Sequence, residues 1–151
     1  MDINLLVQQV IALIMLASVI LIYRTIKSNE KLNQNLLFNE AVKQERELRI
    51  KLQEYREEIH SRIDESLEPK EITLDYDSLL FNYYEYLAIC VYKQIIDGND
   101  AAKYFKESLK SVRQQFDDSI LFREGYAEKS QYPGLRWLFE HWKISKNNGE
   151  N

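Results

Sequence analysis

The feature that most constrains this chain is an uncharged apolar run near its start, LLVQQVIALIMLASVILIY, from Leu5 to Tyr23. As a helix this run would be about 28 Å long, close to the hydrocarbon thickness of a bilayer. A cleaved signal peptide would carry positive charge before the run, whereas only the acidic Asp2 precedes it here. A helix in a soluble core would carry a polar stripe, and Ser18 is the only polar side chain from Val10 to Ile22. The run therefore predicts a transmembrane helix.

The charges that flank the run predict its orientation. Arg24, Lys27 and Lys31 follow it, and no Lys or Arg precedes it. Because cytoplasmic flanks are enriched in positive charge, we expect the N-terminus outside and everything from Arg24 onward in the cytoplasm. The expected location is the inner (cytoplasmic) membrane, crossed once, with the lipid bilayer as a partner.

Composition limits what the rest of the chain can be. Its 151 residues leave room for one modest domain after the anchor. The net charge of −4 argues against a non-specific binder of long nucleic acid, which would be basic overall. A single cysteine, Cys90, excludes an internal disulfide framework. Four Gly and two Pro argue against an all-β or Rossmann-like architecture, so we expect an all-α chain.

A long polar stretch without Gly or Pro follows the run, from about Ser28 to Ser66. Its apolar residues alternate at steps of three and four, with Glu45 in one seam position: Phe38, Ala41, Leu48, Leu52, Tyr55 and Ile59. The pattern fits either a parallel coiled-coil stalk or a long helix packed against its own domain. If the stretch is a stalk, the chain divides into a transmembrane anchor at 1–24, a helical stalk at 25–68 and a small helical ligand-binding domain at 69–151, and this is the organisation that we expect.

Capping signals divide this C-terminal domain into helices. Pro69 ends the long helix, and Asp75 or Asp77 is expected to cap the next one. Gly98 is expected to supply the left-handed end of that helix, and Asn99 to cap the one after it. The first expected helix of the domain ends near residue 97. Two more are expected from about 100 to 116 and from about 117 to 128, and a last helix is expected to begin at Pro133.

The helix after residue 99 carries a row of positive charge opposite an apolar face. Lys103, Lys106, Lys110 and Arg113 recur at steps of three, four and three. Such rows are usually solvated faces, yet no other ordered cluster of positive charge is present in this acidic domain. A run of phosphates is a ligand that this row can meet.

Aromatic residues supply the other half of a nucleotide site, because bases stack on Tyr, Trp or Phe while Lys and Arg hold phosphates. The candidates near the C-terminus interleave aromatic residues and cations: Arg123, Tyr126, Lys129, Tyr132, Arg136 and Trp137. Together with the basic row, they form the expected ligand-binding site.

Catalytic signatures are missing from the sequence. His60 and His141 lie in different elements, and no H-E-x-x-H, C-x-x-C, G-x-S-x-G or phosphate-binding glycine pattern is present. A lone carboxylate such as Glu85 or Glu140 is more often a structural hydrogen-bond acceptor than an acid or base. We therefore expect no enzyme, no catalytic residue, no metal site and no cofactor.

Two segments carry a resemblance to known proteins: FNYYEYLAICVY, at Phe81 to Tyr92, and YPGLRWLFEHW, at Tyr132 to Trp142. They resemble a family of small helical bacterial domains of unknown biochemical role that often follow a transmembrane helix. With anchor, stalk and length included, the chain is also similar to membrane-bound ancillary effectors of type III CRISPR antiviral defence. That resemblance implies a homotetramer that binds the second messenger cyclic tetra-adenylate and perturbs the membrane through its N-terminal helices.

Two other functions stay open. A membrane-tethered scaffold would bind another protein through an exposed face such as that of Trp137 and His141, and would need no nucleotide. A constitutive membrane-disrupting toxin would be harmful on expression without any signal.

Overall fold

The structure is a computed structural model that describes the backbone of residues 3–64 and 70–145 and the side chains of residues 13–63 and 70–145. Every long element in these ranges is an α-helix, so the predicted all-α class is confirmed. The chain divides into two compact units, residues 1–36 and 37–151. The elements are α1 (Ile3–Asp64), α2 (Lys70–Tyr92), α3 (Gly98–Asp118), α4 (Ile120–Arg123), a 3₁₀ helix (Lys129–Gln131) and α5 (Pro133–His141).

In the N-terminal unit, the described side chains belong to the first part of α1 and are mostly exposed. Met15, for example, is 65% exposed in the isolated chain. The hydroxyl groups of Ser18 and Thr25 each donate a hydrogen bond of 2.9 Å to the backbone carbonyl four residues earlier. The helix itself therefore satisfies both hydroxyl groups.

The transmembrane helix expected at Leu5 to Tyr23 is not supported. Its first part, residues 5–12, lies outside the described side chains. Within the described residues, no helix combines the length and the apolar character needed to cross a bilayer. On this finding, the predicted single-pass location in the inner membrane is wrong.

In the C-terminal unit, α2 packs against α3, α4 and α5. Leu80, Tyr84, Leu87 and Val91 recur at steps of four, three and four, the spacing of one helix face, and each is at most 6% exposed. Ile95 belongs to the same spacing but is 38% exposed, because α2 already ends at Tyr92. Periodicity therefore predicts the buried face of α2 and misses its end.

Aromatic rings from four elements meet around Phe81 of α2. Its ring centroid lies 5.1 Å from that of Phe116, 5.6 Å from that of Phe122 and 5.9 Å from that of Tyr132. The ring of Phe139 in α5 contacts Phe116 edge to face at 5.7 Å. Such pairs add about 0.5–1.5 kcal/mol each beyond the burial of their area. This aromatic cluster joins α2, α3, α4 and α5.

The second part of α1 packs within the same unit. Ala41, Leu48 and Leu52 are buried in the core, and the ring of Phe38 lies 6.2 Å from that of Phe105 in α3. The hydroxyl of Tyr83 in α2 donates a hydrogen bond of 2.8 Å to the carbonyl of Ala41. These heptad positions thus pack against their own chain. This is the alternative in which the long helix packs against its own domain, rather than the coiled-coil stalk. The boundaries of anchor, stalk and domain stay predictions, and Pro69 lies outside the described residues.

The helix ends differ from the predicted ones by a few residues. Asp97 rather than Asn99 caps α3, because its carboxylate accepts hydrogen bonds from two backbone N–H groups of the first turn, at 2.9 and 3.0 Å. The left-handed residue after α2 is Gln94, with φ of 57°, and not Gly98. A cap is defined by backbone geometry, and several neighbouring residues here are chemically suited to it.

Asp77 was a candidate cap for α2, but α2 begins at Lys70 and Asp77 is a buried residue inside it, 3% exposed. Its carboxylate accepts hydrogen bonds from the side-chain amide of Gln115, at 2.7 Å, and from the hydroxyl of Ser119. The Ser119 oxygen in turn accepts a bond from the backbone N–H of Leu121 and so caps α4. Burial raises the pKa of Asp77, although both hydrogen bonds oppose that rise.

Glu85 of α2 caps the start of α5 from a different helix. Its carboxylate oxygens accept hydrogen bonds from the backbone N–H groups of Gly134, at 2.9 Å, and Leu135, at 2.7 Å. Pro133 opens α5, as predicted, and has no N–H to satisfy. A Cβ at Gly134 would lie 2.8 Å from the Glu85 Oε1 atom and 3.2 Å from the Cβ of Ala88, so the Glu85 carboxylate would have to shift to admit a side chain there.

Glu85→Ala should lower the free energy of unfolding by about 1–2 kcal/mol, because two N–H groups of α5 lose their acceptor. Gly134→Ala should also destabilise the protein, but less so in the Glu85→Ala background, where the clash with Glu85 is removed and only the 3.2 Å approach to the Ala88 Cβ remains. Urea unfolding followed by circular dichroism measures all three variants. Glu140→Ala removes an exposed carboxylate from α5 and should change stability by less than about 0.5 kcal/mol. Wild-type stability of Glu85→Ala would contradict the capping role.

Asp77 should make the stability of the protein depend on pH. Because folding raises its pKa, the folded state holds the Asp77 proton more tightly, and the free energy of unfolding falls as pH rises above the ordinary value of 3.8. Asp77→Asn keeps an acceptor for Gln115 and removes this dependence. We expect the stability of this variant relative to wild type to increase between pH 4 and pH 7 in urea titrations. A constant difference would contradict this prediction.

Candidate functional site

The basic row on α3 is largely paired with carboxylates of the same helix. Three of its four cations form ion pairs: Lys103 with Asp100 (2.9 Å), Lys110 with Glu107 (2.8 Å) and Arg113 with Asp117 (3.0 Å). These partners are three or four residues apart, the spacing at which side chains on a helix meet. The fourth cation, Lys106, lies at a separate open cleft with His141. The row therefore presents less positive charge than its spacing indicates.

Three of the predicted cations converge on one open cleft of about 370 Å³, which we call the basic cleft. They come from three elements, α3, the 3₁₀ helix and α5. The three cations face two carboxylates, so the cleft keeps one net positive charge. Its lining residues are Arg113, Phe116, Asp117, Lys129, Arg136 and Glu140.

Asp117 organises the basic cleft. It accepts hydrogen bonds from the Nε atom of Arg113, at 3.0 Å, and from the Nζ atom of Lys129, at 3.2 Å. The Lys129 ammonium also lies 5.5 Å from the ring centroid of Phe116. Burial disfavours the ionised form of Asp117, but the two cations outweigh burial and lower its pKa. Asp117 thus stays ionised and holds both cations in place.

The other predicted residues of the C-terminal segment lie elsewhere. Tyr132 is only 7% exposed and belongs to the aromatic cluster around Phe81. Tyr126 is exposed, and the ammonium of Lys70 lies 5.2 Å from its ring centroid. Arg123 is exposed at the end of α4. The structure does not bring these residues to the basic cleft.

Trp137 borders a second cleft of about 310 Å³, the apolar cleft, lined by Glu85, Ile89, Tyr92, Pro133, Gly134 and Trp137. The rings of Trp137 and Tyr92 meet edge to face at 5.2 Å, and Trp137 stacks on His141 at 4.6 Å. Tyr92 is 66% exposed and Ile89 is 39% exposed. The face predicted for protein binding, that of Trp137 and His141, is therefore continuous with exposed apolar surface of α2.

A third cleft, of about 420 Å³, lies between α1, α2 and α3 within the C-terminal unit. We call it the polar cleft after the polar side chains in its lining, which are Glu45, Arg49, Gln53, Arg56, Tyr76, Tyr84, Ser108, Ser111 and Gln115; the apolar Leu48, Leu52, Leu80 and Val112 complete it. Sequence reasoning missed it. The available signal was Glu45, a carboxylate in an otherwise apolar heptad with Arg49 four residues later.

The described residues contain no metal site. Within them, no three side chains of His, Cys, Asp or Glu lie close enough to hold a metal ion. Cys90 is a buried free thiol. The carboxylates of Asp77 and Glu85 are engaged in structural hydrogen bonds.

Comparison with known proteins assigns the chain to a family. Residues 6–142 match the family model described as "Domain of unknown function (DUF4760)". No curated protein and no solved structure shows significant similarity to the chain. The match supports the coarser of the two resemblances, that to a domain family of unknown biochemical role.

Asp117→Asn should destabilise the protein at neutral pH, because Arg113 and Lys129 lose their anionic partner. A folded-state pKa below the ordinary value means that this stability is present above pH 3.8 and is lost as pH falls through the folded-state pKa. We expect the difference in free energy of unfolding between wild type and variant, measured by urea titration, to become smaller as pH falls below 4. The trend is opposite in sign to that of Asp77→Asn, and a gap that widens in acid would contradict it.

Proposed function

We propose that this chain, which belongs to the DUF4760 family, is a ligand-binding protein of antiviral defence that recognises a cyclic oligoadenylate second messenger. Cyclic tetra-adenylate is the ligand implied by the resemblance to type III CRISPR effectors. The observation that supports the proposal is the convergence of Arg113, Lys129 and Arg136 on one open cleft. Phosphodiester groups are anions, and guanidinium and ammonium groups are their usual partners in proteins.

The basic cleft is ordered before any ligand arrives. Asp117 holds Arg113 and Lys129 by hydrogen bonds, so neither side chain has to lose much freedom on binding. Arg136 lies exposed at the same cleft and is the cation that we assign to the first phosphate contact. The single net positive charge of one cleft suits one phosphodiester.

One chain supplies only part of such a site. A ring of four nucleotides presents four equivalent phosphates, and a homotetramer would place four basic clefts around its axis, one for each phosphate. Trp137, the next residue on α5, lies about 100° further around the helix and borders the apolar cleft, so the basic cleft supplies the phosphate contact without it. The proposed activity is binding, without bond cleavage.

The apolar cleft favours a second function, that of a protein-binding scaffold without a nucleotide ligand. Tyr92, Ile89 and Trp137 expose contiguous apolar and aromatic surface, the kind that supplies hot spots at protein interfaces. In this alternative the partner binds at the face of Trp137 and His141, and the basic cleft has no ligand.

Thermal unfolding of the full chain with cyclic oligoadenylates of three, four and six nucleotides tests the proposal. We expect a dose-dependent rise in Tm with the four-nucleotide ring, because a ligand that binds only the folded state stabilises it. Arg136→Glu should abolish the rise and leave the Tm of the unliganded protein unchanged. Arg123→Glu, the same charge reversal at an exposed arginine outside the cleft, should leave the rise intact.

Two results would contradict the proposal. The absence of a rise with every ring size, in folded wild-type protein, would remove the nucleotide ligand and favour the scaffold. A full rise in Arg136→Glu would remove the assignment of the site to the basic cleft.

A further inference from the structure

We propose that the polar cleft is a second binding site, for a phosphomonoester that carries hydroxyl groups, such as a nucleoside or sugar monophosphate. The cleft lies within the C-terminal unit and shares no lining residue with the basic cleft. Its volume of about 420 Å³ falls in the range of small-molecule sites.

Arg56 and Tyr76 form the end of the cleft that we assign to the phosphate. The Nε and Nη2 atoms of Arg56 donate hydrogen bonds to the phenol oxygen of Tyr76, at 3.1 and 2.8 Å. Because that oxygen accepts from Arg56, the hydroxyl proton of Tyr76 can be donated to an anion. Tyr76 is 5% exposed, so its hydroxyl is held in place by the fold. The phenol and the remaining N–H groups of Arg56 match the oxygens of a phosphate.

Glu45 marks the other end, which we assign to the hydroxyl groups of the ligand. Its carboxylate is 2% exposed and accepts a hydrogen bond of 2.6 Å from the Nε atom of Arg49. Arg49 also donates a bond of 2.8 Å to the hydroxyl of Ser108. A carboxylate has more acceptor sites than Arg49 and Tyr84 together occupy, and ligand hydroxyl groups can use the remaining ones.

The Tyr84 hydroxyl lies at the Glu45 end and interacts with the Glu45 carboxylate and the Ser108 hydroxyl. Burial, assisted by the negative charge of Glu45, raises the pKa of Tyr84, so its hydroxyl keeps its proton at neutral pH. Neutral ligand groups that both donate and accept hydrogen bonds suit this pair. Hydroxyl groups have that property, whereas a phosphate does not suit the Glu45 end.

The charges of the cleft select a ligand with one anionic end. Two arginines face one carboxylate, which leaves one net positive charge. Arg49 and Arg56 are seven residues apart on α1, about 10 Å along the helix axis, which is comparable with the length of a phosphorylated nucleoside. A ligand with acidic groups at both ends would place negative charge against Glu45 and bind poorly.

Stability alone does not account for this arrangement. Buried ionic groups can often be replaced by apolar ones without loss of stability. Here Glu45 is 2% exposed, and it lines an open cleft together with Tyr76 and Tyr84, which belong to the edge of the hydrophobic core. Polar side chains fixed in this way around a cleft are typical of ligand sites.

Isothermal titration calorimetry of the full chain tests the site with adenosine monophosphate, ribose 5-phosphate, inorganic phosphate and adenosine. We expect both phosphomonoesters to bind, and adenosine to bind at least about tenfold more weakly because it lacks the charged group. Arg56→Gln should weaken binding of adenosine monophosphate at least about tenfold. Arg46→Gln, an exposed arginine of α1 that does not line the cleft, is the matched control and should bind like wild type.

A further variant tests the assignment of the Glu45 end. Ser108→Ala removes a partially exposed hydroxyl that holds Arg49, so the protein should stay folded. We expect this variant to bind adenosine monophosphate and ribose 5-phosphate more weakly than wild type, and to bind inorganic phosphate with unchanged affinity. Equal weakening of all three probes would overturn the assignment of ligand hydroxyl groups to this end.

The remaining outcomes separate this site from the basic cleft. Arg136→Glu should keep wild-type affinity for adenosine monophosphate, and Arg56→Gln should keep the Tm rise with a cyclic oligoadenylate. Loss of both ligands in either variant would show one shared site and overturn the proposal. Failure of both phosphomonoesters to bind the wild-type chain, or full binding to Arg56→Gln, would also overturn it, whatever the result for cyclic oligoadenylates.

Discussion

Burial of α2 on several sides at once is the constraint on which the C-terminal unit depends. Phe81 and Ala88 are 0% exposed, and other helices cover α2 along most of its length. On its buried faces, such a helix can carry charge only where a neighbour supplies hydrogen bonds. Asp77 therefore takes bonds from the polar side chains of α3 and the α4 cap, and Glu85 takes them from the open N-terminus of α5. The two carboxylates thus fix where their neighbouring helices begin and end.

The helices were largely predictable from the sequence, but their ends were not. Leu80, Leu87 and Val91 share one face of the helix wherever the helix begins, so their burial follows from their spacing alone. A cap is decided by competition between neighbouring residues, and Asp97 and Asn99 suit the position equally well by chemistry. Hydropathy misled in a different way, because the run to Tyr23 predicted a span that the described residues do not support.

The candidate site was predictable only in part. The acidic partners of the basic row stand three or four residues away in the sequence, so their pairing could have been anticipated. The meeting of Arg113, Lys129 and Arg136 could not, because it depends on how the chain turns between α3 and α5. Tyr132 shows the same limit, since a tyrosine beside cations suits a stacking site and an aromatic core equally, and the packing of Phe81 decides for the core.

The heptad of α1 shows how a correct pattern can indicate the wrong partner. A polar residue in an apolar seam usually sets the register of a coiled coil between chains. Glu45 instead finds Arg49 on its own helix and lies against α2 and α3, which cover the seam from the same chain. The local ion pair offsets part of the cost of burying the carboxylate. Arginines four and eleven residues after Glu45 then border the same cleft, so a charged seam residue with arginines at that spacing indicates a polar cleft within the domain.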